Sequence, residues 1–276
     1  SVGFSWAQMS NLWKRRCGED SFGSPPSVSR CSTSSSFSSH AELSHFDVLE
    51  QLGRGAAGVV HRALHKTTRR EVALKFVEDK EALYTDEIRH EYEILRGLHH
   101  PHIIQGMDFF ISRGSAIVVM SYHAGTTLDN SLKAQHAGFF TEVVSRSLFG
   151  MLIQAVNYLH SHGISHRDIR AQNLLISHGL DNLHLADFNC AGKGEDDHVM
   201  MQGCWEHAAP EVIDGDLPHK LQDIWSCGLV LHMMMTGSLP RRLWRFPDLD
   251  AFAAAMLRSP VNWERPQWQG GSGACQ

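Results

Sequence analysis

The 276-residue sequence predicts an α+β protein with two lobes, a small one rich in strands and a larger one that is mainly helical. Two observations predict it. Short β-branched runs around a glycine cluster crowd the first part, and long stretches with apolar residues at helical spacing dominate the second. The expected boundaries are 45–121 for the first lobe and 122–276 for the second, with residues 1–44 outside both.

The first lobe opens at HFDVLEQLGRGAAGVVHRAL (45–64). Val48, Leu49 and Leu52 precede the glycines, and Val59 and Val60 follow them, so the segment reads as strand, turn, strand. VALKFV (72–77) is a third strand and AIVVM (116–120) a buried one. Between them, DEIRHEYEILRGL (86–98) carries Ile88, Tyr92, Leu95 and Leu98 on one helical face. In the second lobe, Val144, Leu148, Met151, Ala155 and Leu159 mark a long helix with Thr141 as its N-cap. A further apolar helix runs near 221–236. Before all of these, SFGSPPSVSRCSTSSSFSSH (21–40) holds too little apolar surface to offset the entropy of ordering it. Residues 1–44 are therefore expected to form a mobile tail, with docking of Trp6, Leu12 and Trp13 on the folded body as the alternative.

Composition excludes several classes. A net charge of −5 exerts no global pull toward nucleic acid or a membrane surface, so neither is expected as a partner. No apolar run approaches the ~20 residues that span a bilayer. Cys17, Cys31, Cys190, Cys204, Cys227 and Cys275 form no CxxC pair, which suits a reducing, intracellular compartment, cytoplasmic or nuclear. The 19 histidines include no HExxH spacing.

Four stretches carry chemistry. GRGAAGVV (53–60) fits G-x-G-x-x-G-x-V; alone it fits a dinucleotide-binding turn as well, but the valines after Gly58 favour a strand where that turn would open a helix. A glycine turn between strands lets backbone N–H groups approach phosphates. Lys75, in VALK, follows close enough to reach back under that turn, and its ammonium needs a carboxylate partner. Glu91 is the candidate, with Glu87 and Glu93 as rivals on the same helix. HRDIRAQN (166–173) offers Asp168 to orient and deprotonate an attacking hydroxyl and Asn173 as an oxygen ligand for magnesium. Asp187, in DFN after the apolar LHLA (183–186), offers a second metal ligand. Alone, each of these acids reads as a turn or cap residue.

Their order is more specific than any member. The glycine loop, VALK, a helix glutamate, HRDxxxxN, DFx, AAPE (208–211) and DIWSCG (223–228) together resemble the eukaryotic protein kinase family over roughly residues 45–240. The resemblance implies a bilobal protein-kinase-like fold with ATP and Mg2+ in the cleft and a protein substrate. It implies Gly53, Arg54, Gly55, Ala56, Ala57 and Gly58 over the phosphates and Val60, Ala73 and Leu175 around the adenine. It implies Met120 at the gatekeeper and Ser121 to His123 as the hinge. It implies Lys75, Glu91, Asp168 and Arg170 in catalysis, Asn173 and Asp187 on metal, and Asp223 anchoring the catalytic loop.

The departures from the family pattern generate further expectations. Asn189 replaces the glycine of DFG; asparagine tolerates the left-handed region, so a stiffer turn with an intact metal ligand is expected. Cys204 and His207 replace a threonine and a tyrosine, so the bridge to Asp168 should loosen. Arg170 replaces the lysine of Ser/Thr catalytic loops, yet GCWEHAAPE favours Ser/Thr specificity. Residues 190–211 hold no Ser, Thr or Tyr, and Glu195, Asp196 or Asp197 is offered as a permanent partner for Arg167. Gly106 leaves a possible gap in the stack of Leu95, Phe188 and His166, with Met107 as its candidate filler. The second lobe is expected to lack its final helices, and with them an arginine for Glu211. The expected function is ATP-dependent phosphorylation of Ser/Thr hydroxyls, with a possible regulatory partner. The alternative is a pseudokinase that scaffolds partners without turnover.

Overall fold

The structure, a computed structural model, describes residues 42–55, 58–78, 85–193, 204–213, 219–241, 245–247 and 249–258. The tail up to residue 41, Ala56, Ala57, Glu195, Asp196, Asp197 and residues 259–276 lie outside these, as does the Glu87 side chain.

Five strands form the sheet of the first lobe. They are β1 (Phe46–Gly55), β2 (Gly58–His65), β3 (Glu71–Glu78), β4 (Gly106–Ser112) and β5 (Ser115–Ser121), and helix α1 (Thr85–Arg96) lies between β3 and β4 in the chain. The order across the sheet is β1-β2-β3-β5-β4, every pair antiparallel. Side chains alternate across a strand, and here the two faces feed different clusters. Ala73, Ala116, Val118 and Met120 join the large core with α1, whereas Val72, Leu74, Ile117 and Val119 pack with Phe46 and Phe110 on the other face. Lys75 therefore shares the α1 face with Ala73 and Val77 by strand period alone. On α1, Ile88 and Leu95 are buried at helical spacing, and Glu91 lies in the same stripe at 1% exposure.

The second lobe begins with β6 (Gly125–Thr127), α2 (Leu128–Ala134) and α3 (Glu142–Ser161). Thr141 caps α3 as its sequence predicts, its hydroxyl accepting from Val144 N–H at 3.4 Å. Strands β7 (Ile164–Ser165), β8 (Leu174–Ser177), β9 (Leu183–Leu185) and β10 (Gly192–Lys193) follow, then helices α4 (Pro210–Ile213), α5 (Lys220–Thr236) and α6 (Leu249–Arg258). Helix α5 starts on the His219 ring, which accepts from Leu221 N–H, and stops at Gly237, whose φ of 74° suits a residue without Cβ. One continuous apolar core runs from Ala73, Leu95 and Met120 in the first lobe to Leu148, Phe188 and Val230 in the second.

Strand β4 escapes the sequence pattern because it starts on a glycine and leaves Met107 and Ile111 about two-fifths exposed. Gly106 also corrects the expectation of a filled or gapped stack. Met107 points outward and fills nothing. The space is closed from the other side: a Cβ on Gly106 would lie 2.8 Å from Leu95 Cβ and 3.1 Å from the Arg96 backbone nitrogen. Glycine here lets α1 lie directly against β4, which carries Leu95 and Glu91 inward together. Gly106→Ala should therefore cost about 1–3 kcal/mol through overpacking. Equilibrium urea unfolding measures it; an unchanged midpoint would mean that α1 shifts freely.

Candidate active site

The centre of the cleft is an ammonium ringed by oxygens. Lys75 Nζ donates to Glu91 Oε1 (2.9 Å) and Oε2 (2.8 Å), Asp187 Oδ1 (3.0 Å) and Asn189 Oδ1 (2.9 Å). Of the two described glutamate side chains of α1, Glu91 is thus the one that meets Lys75; Glu93 is half exposed and pairs with Arg96. Lys75 is 6% exposed. Burial works against its charge, but Glu91 and Asp187 outweigh that and raise its pKa. At Glu91 burial dominates and raises the pKa, opposed by Lys75, because one ammonium is shared between two carboxylates.

Asp187 is held in the left-handed region at φ 62°. The expectation had put that conformation within reach of Asn189, but Asn189 is not among the described residues with positive φ. It differs from glycine here by its side chain: Nδ2 donates to Asp187 Oδ1 at 2.6 Å while Oδ1 accepts from Lys75. Phe188, between them, is fully buried and meets the His166 ring edge-on at 4.7 Å.

The HRD loop is tied down from beneath. Asp223, on α5 and wholly buried, accepts from the backbone N–H of His166 (2.9 Å) and Arg167 (2.8 Å) and pairs with His160 Nε2 at 2.8 Å. These bonds span Arg167, whose φ of 65° is unusual for a residue with a side chain. His166 Nε2 bonds the Ala186 carbonyl (3.1 Å), and Asp168 N–H reaches His166 Nδ1 (3.3 Å). Asn173 Nδ2 donates to both the carbonyl (2.9 Å) and Oδ2 (2.8 Å) of Asp168. With its nitrogen so committed, the Asn173 carboxamide keeps its oxygen for another partner. Ala186 N–H donates to the Asn173 carbonyl at 2.9 Å, which sets Asn173 beside the residue preceding Asp187.

The remaining predicted residues divide. Val60, Ala73, Met120 and Leu175 belong to one apolar cluster. Ser121 ends β5, its N–H donating to the Gln105 carbonyl (2.9 Å). The His123 ring packs at a tilt on His184, centroids 4.3 Å apart, and burial lowers its pKa. Arg170 lies where its charge depresses the pKa of both Cys204 and His207, beneath larger effects of burial. Among the glycines, Gly58 is required by the fold: its φ is 123° and a Cβ would sit 2.2 Å from the Phe76 carbonyl. Gly53 and Gly55 are not; nothing described lies within 4 Å of a Cβ there, and Arg54 between them is exposed. Cys204 reaches Asp168 through its backbone, N–H to Oδ1 at 3.3 Å, a contact that the comparison of hydroxyl with thiol did not anticipate.

The sequence model of the protein kinase domain matches residues 46–257. The carbon catabolite-derepressing protein kinase of Saccharomyces cerevisiae is 35% identical over 212 residues, 75% of this chain and 33% of that protein. The sucrose non-fermenting protein kinase 1 of Fusarium virguliforme is 35% identical over 224 residues, covering 79% and 32%. The calcium/calmodulin-dependent protein kinase type II of Caenorhabditis elegans is 30% identical over 230 residues, covering 81% and 31%. The chain thus spans about a third of the length of these relatives.

Two histidines, the half-buried His184 and the buried His207, make the fold sensitive to acid. Burial pushes both His184 and His207 down to about 4 from the ordinary 6.5, helped by His123 and Arg170 respectively. Neither His207 ring nitrogen has a hydrogen-bond partner among the described residues. An unfolded chain binds protons at these sites between pH 6.5 and 4 while the folded one excludes them, so stability is fully present above pH 6.5 and falls as pH drops through that window. Thermal midpoints recorded from pH 7 to 4.5 should fall, and His207→Leu should make the fall shallower.

Proposed function

The chain belongs to the protein kinase family, and from that premise we propose that it transfers the γ-phosphoryl group of ATP to Ser or Thr hydroxyls of a protein substrate inside the cell, in the cytoplasm or nucleus. The observation that carries the reading is the convergence of Glu91 and Asp187 on the Lys75 ammonium, with the Asp168–Asn173 pair bonded together on the catalytic loop. Three described cysteines are free thiols, in keeping with a reducing compartment, and no helix among the described residues is long and apolar enough to cross a membrane.

The residues fit the groups that the family uses. Asp187 and Asn173 offer a carboxylate and a carboxamide oxygen, the hard donors that magnesium prefers. Gly53 and Gly55 leave open space at the loop, so their backbone can approach phosphate oxygens without a Cβ intervening. A bound magnesium ion would neutralise charge on the phosphoryl oxygens.

In this reading Lys75 holds the phosphates, and Glu91 aims the ammonium from α1. Asp168 accepts the proton of the substrate hydroxyl at Oδ1 or Oδ2, oriented by Asn173 Nδ2 and Cys204 N–H. Arg170 flanks the incoming hydroxyl, and its guanidinium adds positive charge beside the acid. Val60, Ala73 and Leu175 enclose the adenine, with Met120 behind it and the Ser121 to His123 backbone at its edge.

Radiolabelled phosphate transfer to a peptide panel tests the proposal. Asp168→Asn should lower turnover by about 10²- to 10⁴-fold while nucleotide binding persists. Lys75→Met should abolish transfer and weaken MgATP binding. Metal-dependent binding of MgATP by the unmodified protein, with no transfer to any peptide, would overturn the enzyme reading in favour of a scaffold.

A further inference from the structure

We propose that Asn189 is a positioning residue that latches the nucleotide-free site shut, its carboxamide occupying the same Lys75 and Asp187 atoms that phosphate and metal have to take. The inference rests on the reading of this cleft as an ATP site.

The hydrogen-bond capacity of the site shows the conflict. An ammonium has three protons, and Lys75 Nζ already faces four oxygens, Glu91 Oε1 and Oε2, Asp187 Oδ1 and Asn189 Oδ1, all within 2.8–3.0 Å. Asp187 Oδ1 in turn accepts both Lys75 Nζ at 3.0 Å and Asn189 Nδ2 at 2.6 Å. The three side chains close a ring in which each bonds the other two. A phosphate oxygen can reach Lys75 only by displacing one of its acceptors. Glu91 is the most buried of them, at 1% exposure, and bonds through both oxygens, whereas Asn189 is half-buried on a turn. The carboxamide is the ligand that gives way. A cation approaching Asp187 Oδ1 meets the Asn189 N–H in the same manner.

The backbone offers no competing reason for asparagine. Asn189 lies outside the left-handed region, so its tolerance of that region is unused, and the strained residue of the turn is Asp187. What Asn189 contributes beyond glycine is the pair of hydrogen bonds. They hold Asp187 on Lys75 before any nucleotide arrives, and they compete with it on arrival.

The experiment is calorimetric titration of the whole chain and its Asn189→Ala and Asn189→Gly variants with a non-hydrolysable ATP analogue, in magnesium and in EDTA. A peptide-transfer assay run beside it gives KM for ATP, kcat and the magnesium concentration for half-maximal rate. Freed of one competing hydrogen bond, both variants should bind the magnesium-loaded analogue about 3- to 10-fold more tightly. KM for ATP and the magnesium requirement should fall together, with kcat changed less. Tighter binding by the glycine variant alone would assign the effect to backbone freedom and overturn the latch, as would unchanged or weaker binding in both. Binding that appears only in the variants would support it. If no form binds the analogue, the latch and the ATP reading fall together; if wild type binds and transfers while neither variant tightens, only the latch falls.

Discussion

The lower half of the cleft is referred to one buried carboxylate. Asp223 has no exposure, and its two oxygens collect two consecutive backbone N–H groups from the HRD loop and a histidine ring from the end of α3. A carboxylate left unpaired at such depth costs several kcal/mol, so the sequence is obliged to bring HRD and α3 to it. The reward for the strained φ at Arg167 is local: the turn it makes delivers both N–H groups to one acceptor. From that anchor, His166 reaches the Ala186 carbonyl and Phe188, and the DFN turn is thereby located with respect to α5.

The upper half of the site is located by a different device. Strand period sends Lys75 to the face that α1 covers, and helix period places Glu91 in the buried stripe with Ile88 and Leu95. Gly106 allows that helix to lie on β4 at a distance no side chain would tolerate. The two halves then meet at Asp187, the one residue that bonds Lys75 above while sitting one step from the Ala186–Asn173 bond below. A shared apolar core through both lobes helps keep these halves in register, as do backbone bonds such as Ile104 N–H to the Leu185 carbonyl.

Much of this was legible in the residues. Periodicity located β3, β5, α1, α3 and α5 through regularly spaced apolar residues, most of them buried, whereas β1 and β2, with Phe46 and Ala63 as their buried residues, were legible from the glycine turn between them. The ordered motifs identified the family because several polar residues at fixed spacing are rarely assembled by chance. Three kinds of feature were hidden. Strand β4 alternates poorly, because Gly106 serves packing and Met107 is left in solvent. The Cys204 contact to Asp168 runs through a backbone N–H, which side-chain chemistry cannot announce. The DFN turn looked like a question of backbone conformation, and only coordinates reveal that its left-handed residue is Asp187 and that the Asn189 carboxamide bridges two charged groups.

That last feature separates two demands that a glycine in the turn leaves joined. Stability favours every donor and acceptor in a buried site being paired; turnover requires that the same groups be free to exchange partners with a substrate. In the ring of Lys75, Asp187 and Asn189 the first demand is met from within the chain, with Glu91 completing the ammonium's shell. A neutral carboxamide suits that compromise better than a charged group would. It offers one acceptor to the ammonium and one donor to the carboxylate, adding no net charge to a pocket already holding more carboxylates than ammonium groups. Its bonds are therefore strong enough to order the turn, and weak enough to yield to a phosphate that carries full negative charge.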